Sequence, residues 1–308
     1  MWKFIVKRIV AMVPVLLGVT LVIYLIMSMA PGDPAKVILG EQATPEQIEE
    51  LREQMGLNDP VLVQYVRYIW GLLHGDMQNS YNSGLPCQIE IFARFPNTLR
   101  LTVTAITLSV VLALPIGVWA AVKQNTIFDG VSMFIALIGL SMPVFWLGLL
   151  LILFFSLRLG WFPSSGADSW KSLVLPGVTL GFQHMASVAR VTRSSMLEVI
   201  RADYIRTARA KGVAESKVIT KHALKNALIP TVTVIGLQFG GMLGGSVMTE
   251  SVFAWPGIGR LMVQSINKRD IPMVLGCVIM FSVSSSVVNL LVDVLYGFID
   301  PRIKSQYK

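Results

Sequence analysis

The basic stretch DYIRTARAKG is the part of the sequence whose residue types and spacing are best suited to binding chemistry. Arg206, Arg209 and Lys211 fall within six positions there, although the 308-residue chain is 54% hydrophobic and only 14% charged. Guanidinium and ammonium groups at this density bind carboxylates on a protein partner or the anionic headgroups of lipids. Ala208 permits close helix docking and Gly212 permits a turn, and a lipid-binding patch requires neither feature. The stretch therefore predicts docking to an acidic protein surface, with lipid binding as the alternative.

Motifs for catalysis and for metal binding are absent from the sequence. It contains no G-x-x-x-x-G-K-[ST] phosphate loop, no H-E-x-x-H zinc motif and no G-x-S-x-G nucleophile elbow. The three histidines, His74, His184 and His222, are too scattered for a zinc site, and Cys87 and Cys277 offer no disulfide framework. We therefore expect no catalytic residue, no metal site and no cofactor bound by this chain, which should not hydrolyse ATP alone.

Long apolar runs indicate an all-α polytopic membrane protein. A helix of about 20 apolar residues crosses the ~30 Å hydrocarbon layer. Six runs in the sequence can do so: 9–30, 97–121, 130–157, 173–195, 228–249 and 273–297. The first is longer than the ~7–15-residue core of a cleaved signal peptide, so we interpret it as an uncleaved anchor. The fourth is the most polar, because its second half contains His184, Arg190 and Arg193, which must leave the membrane or face protein.

The distribution of charged residues orients these spans. Nine acidic and four basic residues lie between 31 and 98, whereas nine basic and three acidic residues lie between 190 and 225. The positive-inside rule places the basic loop in the cytoplasm and the acidic loop outside, and six spans then leave both termini cytoplasmic. The net charge of +8 is accordingly attributed to cytoplasmic loops and not to nucleic-acid binding. The predicted division is an N-terminal helix with an external helical region, 1–96, a five-helix core, 97–300, and a cytoplasmic tail, 301–308.

The loop after the first span predicts two helices. The sequence TPEQ from Thr44 forms a helix start in which the hydroxyl caps the third helical amide, and Gly56 should end this helix. The second helix should begin at Asp59 and stop near Gly75. Its predicted apolar face comprises Leu62, Tyr65, Val66, Ile69 and Leu73. An apolar face outside the membrane needs a partner, which we expect to be the outer surface of the protein itself.

The fifth run carries paired glycines one helical turn apart, at Gly240, Gly241, Gly244 and Gly245. Small residues at this spacing let membrane helices approach closely, either within the chain or across to a second subunit. The sequence ESVFAWPGIGRL follows at the outer boundary. Its candidate lid residues are Glu250, Phe253, Trp255, Pro256 and Gly257. A rigid Pro-Gly turn beside an aromatic ring suits a lid, whereas Trp255 by itself could be only an interfacial anchor.

The sequence supports two other functional classes less well. A secondary transporter driven by protons or sodium often has inverted repeats and ionisable residues near the membrane midplane, and neither is evident. Asn289 and Asp293 lie toward the cytoplasmic end of the sixth run, and we interpret them as structural. An intramembrane enzyme is disfavoured by the absent motifs.

Several blocks of the sequence resemble the permeases of ATP-binding-cassette importers, specifically their peptide and nickel branch. The matching blocks are DYIRTARAKG, HALKNALIP from His222, APGDP from Ala30, ESVFAWPGIGRL and NLLVDVLYGFIDPR from Asn289, and they are spread over almost the whole chain. The resemblance implies the type I importer permease fold with six membrane helices. It also implies a coupling loop, about residues 198–227, that docks into a cleft on a separate ATPase subunit. The coupling residues implied are Asp203, Tyr204, Arg206, Thr207, Ala208, Arg209, Lys211 and Gly212.

The resemblance further implies partners and a class of cargo. The chain would form half of a translocation pathway in a bacterial inner membrane. It would pair with a second homologous permease, two ATPase subunits that bind ATP and Mg²⁺, and an external substrate-binding protein. Short peptides fit this branch, and the stretch GADSW from Gly166 is similar to the glutathione permeases. Nickel chelates and other small solutes are the alternatives.

Overall fold

The computed structural model describes residues 2–29, 32–40 and 42–299, with side chains described between residues 6 and 294. The described chain is helical: α1 (Trp2–Met29), α2 (Pro34–Leu39), α3 (Pro45–Gln54), α4 (Val61–Leu73), α5 (Cys87–Val122), α6 (Ile127–Ser141), α7 (Val144–Leu151), α8 (Val174–Ile200), α9 (Asp203–Ala210), α10 (Glu215–Lys217), α11 (Leu224–Val252), α12 (Ile258–Asn267) and α13 (Ile271–Ile299). Two π-helical segments, Ile152–Arg158 and Val218–Ala223, extend α7 and precede α11. The predicted tail, 301–308, and the start of the APGDP block lie outside the described residues.

Five of the six predicted runs correspond to helices with the length and composition of membrane spans. Four are single helices: Val6–Met29, Cys87–Val122, Glu215–Val252 and Ile271–Val294. The bent pair of α6 and α7 provides the fifth. The remaining run, 173–195, lies in α8, whose 27 residues give a length of about 40 Å at ~1.5 Å per residue. Much of α8 is buried among other helices, which explains why its composition is more polar than that of a lipid-facing span.

The span predicted over 130–157 is broken, because the chain bends by 109° between α6 and α7. Met142 is extended, with φ of −82° and ψ of 128°, and Pro143 follows it. A proline ring excludes the preceding residue from helical geometry and supplies no backbone N–H, so the helix ends there. The following α7 begins directly after the proline.

The described residues form two compact units, one of residues up to Thr98 with Pro256–Ser286, and one of Leu99–Trp255 with residues 287–299. In the first unit, Asp270 joins a loop to the start of α13. Its buried carboxylate accepts hydrogen bonds from the Ser80 hydroxyl at 2.5 Å, from the Tyr81 amide at 3.1 Å and from the Met273 amide at 3.3 Å. These donors compensate the carboxylate for its lost hydration. The division predicted from sequence at residue 96 stays a prediction.

The two helices predicted in the loop after α1 are confirmed. The Thr44 hydroxyl accepts a hydrogen bond from the Gln47 backbone amide, and the Gln47 side-chain oxygen accepts one from the Thr44 backbone amide, which completes the capping box of α3. Gly56 and Gly75 both adopt left-handed conformations just beyond the ends of α3 and α4, with φ of 65° and 82°. Glycine reaches this region without the Cβ penalty of other residues, which is why it stops both helices.

In the second unit, α8 packs against α6, α7 and α11. The backbones of α5 and α8 approach closely at two glycines, which have no side chain. A Cβ on Gly181 would lie 2.8 Å from the Ala105 carbonyl oxygen, and one on Gly117 would lie 2.6 Å from the Ala189 carbonyl oxygen. Both distances are too short for any larger residue, so α5 packs on α8 through glycine. This packing fixes the helix that leads directly into α9.

Candidate functional site

The basic segment around α9 is attached to the chain through one apolar face. Ile205 is fully buried and contacts a cluster from the end of α8 and the start of the next helical segment. The buried members of this cluster are Ala121, Met196, Ile205, Val218, Ile219, Ala223 and Ala227. Ala208 is half-buried at its edge, so its small side chain serves packing within this chain. The segment is therefore a folded helical turn and not a flexible link.

The opposite face of α9 is charged and open. The side chains of Asp203 and Arg206 are 97% and 74% exposed, and the two lie at a loose ion-pair distance of 3.7 Å. Tyr204, Thr207 and Lys211 are exposed as well. An exposed pair of this kind contributes little to folding, typically ~0–1 kcal/mol. These side chains are available to a partner at almost no cost to the fold.

A glycine-dependent turn ends α9. Gly212 has φ of 77°, and the space where a Cβ would lie is open within 4 Å. The Gly212 amide donates to the Arg209 carbonyl at 2.9 Å, and the Val213 amide donates to the Ala208 carbonyl at 3.3 Å. This pair of bonds is the Schellman pattern, which satisfies the last carbonyls of a helix. The turn predicted at Gly212 is confirmed, and its requirement for glycine comes from backbone geometry and not from crowding.

Arg209 is engaged by an acid of its own chain. Its Nη2 lies 2.7 Å from Oε1 of Glu215 and its Nε lies 3.1 Å from Oε2, so the two planar groups form a bidentate pair across the turn. This hydrogen bonding raises the pKa of Arg209 above its usual value. Sequence reasoning assigned Arg209 to a partner and did not identify Glu215, because six positions across a glycine turn is not a helical spacing.

Two further polar contacts position the segment. The Asn226 amide donates to the Tyr204 hydroxyl at 2.7 Å, which connects α9 to the first turn of α11. Arg201, at the end of α8, donates to the side chain of Gln124 at 3.2 Å. Helical periodicity does not predict either pair, since each joins residues far apart along the chain. The Asn226–Tyr204 bond and the apolar cluster hold α9 against its flanking helices, while Arg201 connects the end of α8 to the loop after α5.

The four glycines of α11 divide into two kinds of environment. A Cβ on Gly240 would lie 2.6 Å from Oδ1 of Asn289, so Gly240 serves packing of α11 on α13 within this chain. Gly241, Gly244 and Gly245 have open space within 4 Å of the same position and are exposed. Exposed Leu237 and Met248 extend the same strip of the helix. Within the described residues, three of the four glycines therefore form a surface of small side chains.

The aromatic residues at the end of α11 are buried. Phe253 is 1% exposed and Trp255 is 2% exposed, and Trp255 packs in a cluster with Leu101, Leu180 and Met242. An interfacial anchor needs a ring in contact with lipid headgroups, so this interpretation of Trp255 is wrong. The Phe253 carbonyl also accepts a hydrogen bond from the Gly166 amide at 3.1 Å.

The backbone turn in this stretch lies at Ala254, two residues before Pro256. Ala254 has a positive φ of 49°, while Gly257 is extended and caps the start of α12. The expected Pro-Gly turn is therefore replaced by a turn at Ala254. Glu250 is fully buried and accepts a hydrogen bond from Ser246 at 3.1 Å. The Pro256 carbonyl accepts a hydrogen bond from the Asn97 side-chain amide at 3.1 Å.

Comparison with known proteins identifies the family. Residues 113–305 match the model of the binding-protein-dependent transport system inner membrane component, and residues 1–113 match its N-terminal region. The chain is 44% identical over 332 residues to a dipeptide transport system permease protein of Alkalihalophilus pseudofirmus, covering 99% of this chain and 100% of the relative. It is 46% identical over 304 residues to a glutathione transport system permease protein of Salmonella paratyphi A, covering 99% of each.

Solved structures support the same fold. An inward-facing methionine ABC transporter structure matches with a TM-score of 0.57 and 21% identity, over 69% of this chain and 97% of that one. An amino acid ABC transporter structure with histidines matches with a TM-score of 0.55 and 17% identity, over 68% and 94%. The predicted importer permease fold is confirmed. The chain is a multi-pass membrane protein that belongs to the family of binding-protein-dependent transport system inner membrane components.

Proposed function

We propose that this chain imports short peptides, of the dipeptide or glutathione class, as one half of an ATP-driven membrane pathway. The names of its relatives support this class of cargo. In this proposal the complete importer contains a second homologous permease, two ATPase subunits and an external substrate-binding protein. ATP and Mg²⁺ bind the ATPase subunits, and this chain binds neither. The charge asymmetry of its loops supports cytoplasmic termini and a cytoplasmic α9.

The observation that carries the proposal is the construction of α9. One face is fixed to the chain by Ile205, its end is set by Gly212, and its other face presents Arg206 and Lys211. A lipid-binding loop needs only the charges, whereas a short rigid helix with a defined end suits a shaped cleft on a protein. The proposed coupling residues are those of the stretch 203–212.

Movement of α9 would be transmitted to the membrane helices directly. α9 lies between α8 and the segment that continues into α11, and these two long helices pack on one another. The hydroxyls of Thr192 and Thr231 lie 3.4 Å apart in this contact, and both residues are fully buried. Closure of the ATPase pair would tilt α8 and α11 together as a rigid body between inward and outward openings. In this proposal the exposed glycines of α11, Gly241, Gly244 and Gly245, face either the pathway or the second permease. The segment 250–257 lies at the external gate.

Reconstitution of the full complex tests this function. The complex is placed in lipid vesicles with its binding protein, and uptake of a radiolabelled dipeptide, of glutathione and of a nickel chelate is measured beside ATP hydrolysis. We expect peptide uptake that requires ATP, with hydrolysis stimulated by loaded binding protein. Uptake by the permease chain alone under a proton or sodium gradient would contradict the proposal. Uptake of the nickel chelate without peptide uptake would contradict the cargo class only.

A further inference from the structure

Helix α4 is apolar on two separate faces, and the chain covers only one. Of the face predicted to pack on the protein, Tyr65 and Ile69 do so together with Tyr68, in a cluster with residues of α1 and α13, whereas Leu62, Val66 and Leu73 are exposed, contrary to that prediction. The second face is exposed. It comprises Leu62, Val63, Val66, Trp70 and Leu73, with exposed fractions of 62%, 48%, 64%, 66% and 73%. We call these five residues the outer α4 face. At ~100° per residue they lie within an arc of about 100° around the helix axis.

Contacts with α1 place α4 at membrane depth. The Tyr65 hydroxyl donates to the Leu17 carbonyl at 2.9 Å and lies 3.0 Å from the Thr20 hydroxyl. The membrane span of α1 runs over Val6–Met29, so Leu17 and Thr20 occupy its middle. Leu17 precedes Met29 by twelve residues, which corresponds to about 18 Å of helix. A tyrosine on α4 can reach this point only if α4 lies beside the span and below the membrane surface.

Contacts with α13 give the same depth independently. Tyr65 and Tyr68 share their cluster with Val274, Leu275 and Ile279. The α13 span begins at Ile271, and Ile279 lies eight residues further, about 12 Å along the helix axis. The 13 residues of α4 measure about 20 Å, too short to cross a ~30 Å hydrocarbon layer. α4 therefore occupies one half of the bilayer.

The side chains of Gln64, Tyr65 and Arg67 on α4 are paired, whereas the Tyr68 hydroxyl, which is buried against protein, has no hydrogen-bond partner among the described residues. Gln64 donates to the carbonyls of Leu57 and Asp59 at 3.0 and 2.7 Å and accepts from the Tyr24 hydroxyl at 2.9 Å. Arg67 forms an ion pair with Asp59. Within hydrocarbon an unsatisfied polar group costs several kcal/mol, so such pairing is a condition for embedding the helix. None of these polar side chains belongs to the outer α4 face.

We propose that the outer α4 face contacts the acyl chains of membrane lipid, so that α4 is an embedded half-helix and not part of an aqueous loop. On α1, against which α4 packs, Val22 and Ile26 are likewise 55% and 60% exposed. An exposed apolar surface of this kind in water would favour aggregation, whereas in lipid it is solvated. The proposal rests on family membership and geometry and is independent of the cargo.

Collision measurements on spin labels test the proposal in the assembled complex. A nitroxide is attached to Val66→Cys, and separately to Leu62→Cys, in a background with Cys87→Ala and Cys277→Ala, and the complex is placed in lipid nanodiscs. Relaxation by oxygen, which concentrates in lipid, is compared with relaxation by a water-soluble nickel chelate. Val22→Cys on α1 is the lipid-facing control, and Glu49→Cys on the polar helix α3 is the aqueous control. Retained ATP-dependent uptake verifies that each labelled complex is folded.

We expect the α4 labels to match the Val22 label, with high oxygen and low nickel accessibility. Nickel accessibility equal to that at Glu49 would show that the face lies in water and would overturn the proposal. Low accessibility to both reagents would show that a second subunit or the binding protein covers the face, and would also overturn it. The second label site at Leu62 decides the question if the Val66 variant does not assemble.

Discussion

Arg193 binds Asp129 through two parallel hydrogen bonds, which join the second half of α8 to the start of α6. Nε of Arg193 lies 2.5 Å from Oδ1 of Asp129, and Nη2 lies 2.7 Å from Oδ2. Asp129 is buried and also accepts the Asn125 amide at 3.0 Å. The polar second half of α8 thus faces protein at this point, one of the two possibilities expected from sequence. The pair lies ten positions before α9, on the helix that leads into it.

Removing one partner of this pair should destabilise the protein strongly. Asp129→Asn or Arg193→Gln leaves a largely buried charge unpaired, and such losses cost about 3–5 kcal/mol. The double variant removes both charges and should recover a large part of that loss. The measurement is the unfolding midpoint of the purified complex in detergent for all four proteins. Additive effects of the two substitutions would show that the residues do not act as a pair.

Replacing Gly212 should impair coupling through the backbone alone. Gly212→Val introduces a β-branched residue at φ of 77°, where strain costs roughly 1–3 kcal/mol, whereas asparagine tolerates this region. We expect Gly212→Val to lose both uptake and substrate-stimulated ATP hydrolysis while still reaching the membrane. Gly212→Asn is the matched control and should retain both. Loss of uptake with normal stimulation would place the defect in the pathway and contradict the assignment of α9.

Variants of the Arg209–Glu215 pair distinguish a role of Arg209 within the chain from a role in binding a partner. Arg209→Glu places two carboxylates across the turn, so it should weaken both the turn and docking. The exchange Arg209→Glu with Glu215→Arg restores the pair but keeps the altered charge at position 209. Affinity of the purified permease for its ATPase subunits is measured by ultracentrifugation. Full recovery in the exchanged variant would assign Arg209 to turn stability only, and we expect partial recovery.

Charge reversal at Arg206 is a sharper test of partner docking. Its side chain is 74% exposed and makes only a loose ion pair, so Arg206→Glu should change unfolding by less than about 1 kcal/mol. Binding of the ATPase subunits should nevertheless weaken, because like charges would face an acidic partner surface. Binding of the variant to vesicles that contain anionic lipid is measured in parallel. Unchanged subunit binding together with weaker vesicle binding would favour the lipid alternative.

The glycines of α11 should respond differently to enlargement. Gly240→Leu drives a side chain into Asn289, and overpacking of this kind costs about 1–3 kcal/mol, so the isolated chain should lose stability. Gly244→Leu meets open space and should leave the isolated chain intact, while it reduces the yield of complex with the second permease. Leu149→Ala, at a residue 52% exposed, is the control with little effect. Equal complex yields for Gly244→Leu and Leu149→Ala would remove the close-packing argument.

The sequence by itself determined the class of protein and the local features of its proposed coupling segment. Long apolar runs require helices in a membrane, because only internally hydrogen-bonded segments can cross hydrocarbon. The helix start at Thr44 and the turn at Gly212 are set by residues within a few positions of each other. Such local signals are legible in sequence since the interacting groups are close along the chain. The charge asymmetry likewise predicts orientation without any knowledge of packing.

Only the tertiary structure decided which side chains meet across the helices. Nothing in the spacing of Arg193 and Asp129, 64 positions apart, indicates their pairing. The sequence pattern does not distinguish Gly240 from Gly244 in α11. In the structure Gly240 faces Asn289, whereas Gly244 faces open space. The packing of α4 on α1 and α13 and the burial of Trp255 depend in the same way on helices that lie far away in sequence. Helical periodicity tells which residues share a face, but the element that covers that face is chosen by the packing of the whole chain.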